Sequence, residues 1–106
     1  MSMRQAIVFV QGRRAGILTE ISNEEYHFEY DANYDGGAVS LTMPTSHKKY
    51  GYKSFPPFFE GLLPEGVMLE GLLRIGKIDK KDYFSQLIAT GNDLVGCVTV
   101  QALENE

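Results

Sequence analysis

The imidazoles of His27 and His47 and the thiol of Cys97 are the first candidates for chemistry in this 106-residue sequence. Neither histidine lies in an HExxH pattern, the one cysteine has no CxxC partner, and no serine sits at a GxSxG elbow. A metal site needs several N, S or O ligands at short spacing, a test these residues do not meet. His27 falls on the polar side of an alternating segment and reads as a solvated surface residue. Gly91-Asn92-Asp93-Leu94-Val95-Gly96 has glycines at both ends. It follows a helix, however, whereas phosphate cradles precede a helix N-terminus. We read it as a turn in which Gly91 takes the left-handed conformation and Asn92-Asp93 bond their own backbone. No catalytic, cofactor-binding or metal-binding residue is nominated.

What the sequence does carry is contact chemistry. Residues 55–68, Phe-Pro-Pro-Phe-Phe-Glu-Gly-Leu-Leu-Pro-Glu-Gly-Val-Met, hold more apolar side chains than so small a domain can turn inward. Apolar surface left outside is a common mark of an interface. Phe58, Phe59, Leu62 and Leu63 are assigned mainly to the core, and the break from Pro64 to Met68 to the surface. A second candidate surface is the stretch around Lys48, Lys49 and Lys53, opposite in sign to the acidic run from Glu20 to Asp35. With 14 acidic against 10 basic residues the chain carries a net charge of −4, which repels a phosphate backbone. Direct nucleic-acid binding is not expected. Cys97, flanked by valines at 95 and 98, is expected to be a buried thiol in a reducing compartment. The N-terminus has too short an apolar run for a signal peptide or a membrane span, so no membrane partner and a cytoplasmic location are expected.

One hundred and six residues make a single domain over 1–106, too short for a kinase, a Rossmann dehydrogenase or a TIM barrel. The elements that position the candidate surfaces follow from periodicity. Strands are expected at Ala6–Val10, Gly16–Ile21, Tyr26–Tyr30, Val39–Met43 and Gly96–Leu103, with a hairpin loop at Gln11-Gly12-Arg13-Arg14. Thr45–Pro57 shows neither period and is expected to be a long basic loop. Helical spacing follows at 58–63, stopped by Pro64, and again at Val67–Arg74 with Gly76 to end it. A third helix is expected with Asp79 as its cap, Tyr83, Phe84, Leu87 and Ile88 as its apolar face, and Gly91 after it. The fold class is α+β: a mostly antiparallel sheet with three short helices packed on one side.

Phe58-Phe59-Glu60-Gly61-Leu62-Leu63-Pro64-Glu65-Gly66, a helix to Arg74, a Tyr83-Phe84 helix and Gly91-Asn92-Asp93-Leu94-Val95-Gly96 resemble the N-terminal domain of HipA-type toxin kinases. That family usually carries Arg-Asp where this chain has Asn92-Asp93. The resemblance ends at Glu106 without a kinase core, which is similar to the small HipS-type antitoxins of tripartite HipBST systems. It implies no catalysis and no cofactor. It also implies two partners: a HipT-like kinase toxin that phosphorylates an aminoacyl-tRNA synthetase, and a HipB-like DNA-binding protein in a ternary complex. Inhibition of the kinase by occlusion is the first expectation; the alternative is a non-inhibitory structural or activating subunit that completes a split HipA-like kinase or bridges it to the HipB-like repressor. Leu63, Pro64, Glu65, Gly66, Val67 and Met68 are the expected partner-binding residues, with Lys48, Lys49 and Lys53 as a second surface.

Overall fold

Alternation every second residue lays down the sheet. In the computed structural model, which describes residues 3–91 and 97–103, Ala6, Val8 and Val10 are buried while Gln5, Ile7 and Phe9, which alternate with them, are partly exposed. The strands are β1 (Arg4–Val10), β2 (Arg13–Ser22), β3 (Glu25–Tyr30), β4 (Lys49–Tyr52) and β5 (Val98–Leu103). They form one antiparallel sheet in the order β4-β3-β2-β1-β5. A two-residue turn joins β1 to β2, with Gln11 at φ 51° and Gly12 at φ 82°, the pair of positive values that matches the twist of a hairpin. Bulges at Ala15 and Ile21 interrupt the β2 register on either side.

One face of this sheet is the core. Leu18, Tyr26, Phe28, Tyr30, Val98 and Val100 join the β1 residues there, and Phe55, Phe59, Phe84 and Leu87 come down onto them. The helices that carry the cover are α1 (Pro57–Glu60), α2 (Gly66–Gly76) and α3 (Tyr83–Ala89). The α+β class with three short helices is therefore the observed one.

Several local expectations are corrected. Val39–Met43 is not a strand but a turn closed by a single bridge between Ser40 and Met43. The buried Tyr30 hydroxyl accepts the Val39 N–H and donates to the Met43 carbonyl, so a phenol does the work of a neighbouring strand. Val39 and Met43 stay buried, and Leu41 is thrown out to 99% exposure. The expected basic loop contains β4, a four-residue edge strand whose lysine and glycine hide its alternation of Tyr50 and Tyr52. The cap of α3 is Asp82 and not Asp79, whose carboxylate instead takes the Lys81 N–H in the preceding turn. Lys77, not Gly76, turns left-handed after α2, at φ 54°. Gly91 has no positive φ; a Cβ there would lie 1.9 Å from the Val100 carbonyl oxygen, so glycine serves a close approach of backbones. Cys97 is exposed rather than buried. Asn92, Asp93 and the rest of the expected turn to Gly96 lie outside the described residues.

Candidate interaction face

Residues 55–76 start inside the molecule and end outside it. Phe55 stands edge-on to Tyr26 and Tyr83, at centroid distances of 5.4 and 5.6 Å, and Pro56 is buried beside it. Pro57 opens α1 at a position whose N–H no helix would use, and Phe59 is buried 6.1 Å from the Phe28 ring. The backbone then runs one more turn through Leu62 and Leu63, whose N–H groups reach the carbonyls of Phe59 and Glu60. Pro64 cannot extend this ladder, and Glu65 becomes extended at φ −131°, ψ 164°. Gly66 is left-handed at φ 63°, a conformation that glycine alone adopts without strain.

The chain re-enters a helix there with no side-chain cap, and that helix, α2, buries none of its eleven residues. Its sequence, Gly-Val-Met-Leu-Glu-Gly-Leu-Leu-Arg-Ile-Gly, has only Glu70 and Arg74 as charged positions. Leu69, Gly71, Leu72 and Leu73 are half buried, while at 100° per residue Val67, Ile75 and Met68 make an exposed apolar arc of about 100°. Val67 is 84% exposed, Met68 75% and Ile75 86%. A helix apolar around most of its circumference is ordinarily buried. This one lies open on its outer side.

Between α3 and the sheet the polar groups are engaged. Arg4 binds Glu20 through Nε and Nη2, Asp82 through both Nη atoms and Ser85 Oγ through Nη1, and its guanidinium lies 4.9 Å from the Phe84 ring centre. This raises the Arg4 pKa, chiefly through the Glu20 bond. Burial pushes the Asp82 carboxyl up, but the bonds from Arg4, the Ser85 hydroxyl and the Ser85 N–H together hold it below the usual carboxylate range. The network ties α3 to the sheet. An apolar groove beside it, lined by Met3, Phe84, Ile88, Ala102 and Leu103, has Arg4 and Ser85 at its rim, both already committed to these partners. Among the described residues no cluster of three or more His, Cys, Asp or Glu could hold a metal, and no helix is long and apolar enough to cross a membrane.

The whole architecture matches a known one. The HipA N-terminal domain family model matches residues 6–101. This chain belongs to the HipA N-terminal domain family. A solved structure described as the N-terminal domain of HipA toxin superposes with a TM-score of 0.76 at 28% identity, covering 97% of this chain and 95% of that one. An uncharacterised protein of Haemophilus influenzae strain Rd is 30% identical over 99 residues, 93% of this chain and 92% of its own length. The matched family is that of a non-catalytic domain.

Within this HipA N-terminal fold the expected partner-binding residues fall into two places. Leu63 and Pro64 are half buried on the connection, and Glu65, Gly66, Val67 and Met68 are exposed at the start of α2. Lys48, Lys49 and Lys53 are exposed on and beside β4, at the sheet edge, with Lys49 paired in register with Glu29. Leu72 and Ile75 extend the apolar face further than residues 63–68. Their signal was present in the sequence, since the only charged strip along residues 66–76 is the narrow one made by Glu70 and Arg74.

Proposed function

We propose that this chain is an antitoxin of the HipS type, which docks on a separate HipT-like serine/threonine kinase toxin and occludes its active site. Docking takes place through the outer face of α2 and the connection from Leu63 to Met68. The complex is cytoplasmic and includes a HipB-like DNA-binding protein. The observation that carries this reading is α2, an apolar helix with no buried residue on a domain whose family is the N-terminal part of a HipA toxin. A domain that packs on a kinase within one chain keeps its docking surface when the two are separate chains. Covering Val67, Met68 and Ile75 would supply on the order of 5 kcal/mol before ordering costs, enough to make them the anchors of an interface.

The test mixes the purified chain with a HipA-type kinase of the same genome that lacks this domain. Complex formation and phosphorylation of aminoacyl-tRNA synthetases are measured together. Binding with loss of phosphorylation is expected. Binding with retained or raised phosphorylation would make the chain a kinase subunit instead. Met68→Asp should lower the affinity at least tenfold while leaving the melting temperature of the free chain in place, and unchanged affinity would remove α2 from the interface.

A further inference from the structure

The two ends of α2 differ in charge as sharply as its two sides differ in burial. Glu60, Glu65 and Glu70 lie before and along its first half, and all three are exposed. Arg74, Lys77, Lys80 and Lys81 follow within eight residues, also exposed, and none of them has an ion-pair partner among the described residues. Of the acids within that corner only Asp82 is ion-paired, with Arg4, which leaves Asp79 as the one carboxylate set against these four cations. Asp79 accepts the Lys81 N–H, and Asp82 is held by Arg4 and Ser85. On a chain of net charge −4 this makes a local patch of opposite sign. Eleven helical residues span about 16 Å, about twice the screening length at physiological salt, so the two ends act on an approaching surface independently. The helix dipole, about half a charge at each end, is too small to cancel them.

Resting on the antitoxin reading above, we infer that α2 docks in one direction only, into an apolar groove on the kinase whose rim is acidic where it meets Lys77, Lys80 and Lys81. Anionic membrane is the poorer match for α2, whose own charges are Glu70 and Arg74 and whose basic residues otherwise follow its end. The apolar arc has no aromatic anchor, and three carboxylates beside the first half of the helix would face the same headgroups. A groove with separate acidic and neutral or basic ends satisfies both ends of α2 at once. Charges at such a rim act mainly on the rate of encounter and its salt dependence, whereas the apolar arc sets residence time.

The experiment follows association and dissociation of the full chain and the kinase at several salt concentrations, for the native chain, for Lys77→Gln/Lys80→Gln/Lys81→Gln and for Met68→Asp. Expected is an association rate about tenfold lower for the lysine triple variant at low salt, with a flattened salt dependence and unchanged dissociation and melting temperature. Met68→Asp should instead speed dissociation. If the triple variant associates as the native chain does while Met68→Asp weakens the complex, the acidic rim is overturned and the docking face stands. If no complex forms with the native chain, the antitoxin reading falls and takes the rim with it. Retention of the native chain, but not the triple variant, on phosphatidylcholine–phosphatidylserine vesicles would reassign the patch to a membrane surface and overturn the inference.

Discussion

Helix α3 has seven residues and buries Phe84, Gln86 and Leu87; helix α2 has eleven and buries none. The shorter helix is capped by Asp82, tied to β1 and β2 through Arg4 and Glu20, and laced to the loop before it by the Gln86 amide. The longer one has no side-chain cap and three glycines. Length therefore says little about anchorage here. Helices this short are marginal on their own and depend on packing, which the domain supplies to α3 and largely withholds from the outer side of α2.

The largest effect separating the two should come from Leu87, fully buried in α3. Leu87→Ala is expected to lower unfolding stability by about 2–5 kcal/mol in urea titration, whereas no single truncation in α2 should approach that. A loss below about 1 kcal/mol would place the core elsewhere and dissolve the contrast.

Next in size is the Arg4–Asp82 tie. Asp82→Ala removes the α3 cap and an ion pair, at an expected cost of about 2 kcal/mol. Acid should mimic it. The folded-state pKa of Asp82 lies below its ordinary value of 3.8, so its contribution is fully present above that value and is lost as pH falls through the folded one. The native chain should thus lose part of its stability below about pH 4 that Asp82→Ala no longer has to lose. Parallel pH curves for the two chains would exclude the tie as a source of stability.

How much of this was legible in the residues divides along the same line. Strands β1, β2, β3 and β5 and the apolar face of α3 follow from periodicity, because each packs in the way its own pattern demands. Residues 39–43 have the pattern of a strand and are not one, since the decisive partner is the Tyr30 hydroxyl, nine residues away from Val39. The start of α3 differs from its expected place by three residues because two aspartates can cap there, and Asp79 takes the Lys81 N–H in the preceding turn while Asp82 takes the Ser85 N–H of the helix. Exposure from Pro64 to Met68 is expected from crowding of apolar side chains; Pro64 is in fact half buried, residues 65–68 are exposed, and the face runs on to Ile75. The charged corner at 74–81 was plain in the sequence, but its freedom from ion pairs is a property of the fold.

Smaller effects sharpen the comparison at the sheet. Gln11 holds a left-handed conformation in the β1–β2 turn, and Asn adopts that conformation more readily. Gln11→Asn should raise stability by up to about 1 kcal/mol and the melting temperature by about 5 °C, since the hairpin folds with the core. An unchanged melting temperature would show that the turn opens before the sheet does.

The same free energy placed in α2 should behave differently. Gly71 sits in mid-helix with nothing within 4 Å of where a Cβ would stand, so Gly71→Ala adds helix propensity, about 1 kcal/mol, without a clash. If α2 opens by itself, as its lack of burial implies, that energy raises amide protection of residues 69–76 about fivefold and leaves the melting temperature where it was. It should also tighten the complex with the kinase by a similar factor, because the variant is closer to the conformation it must adopt when bound. A rise of about 5 °C in melting temperature would instead mean that α2 folds as one unit with the sheet. The open face would then be a rigid platform. Hydrogen exchange and calorimetry on this one variant therefore decide whether the uncovered helix is ordered before its partner arrives or by it.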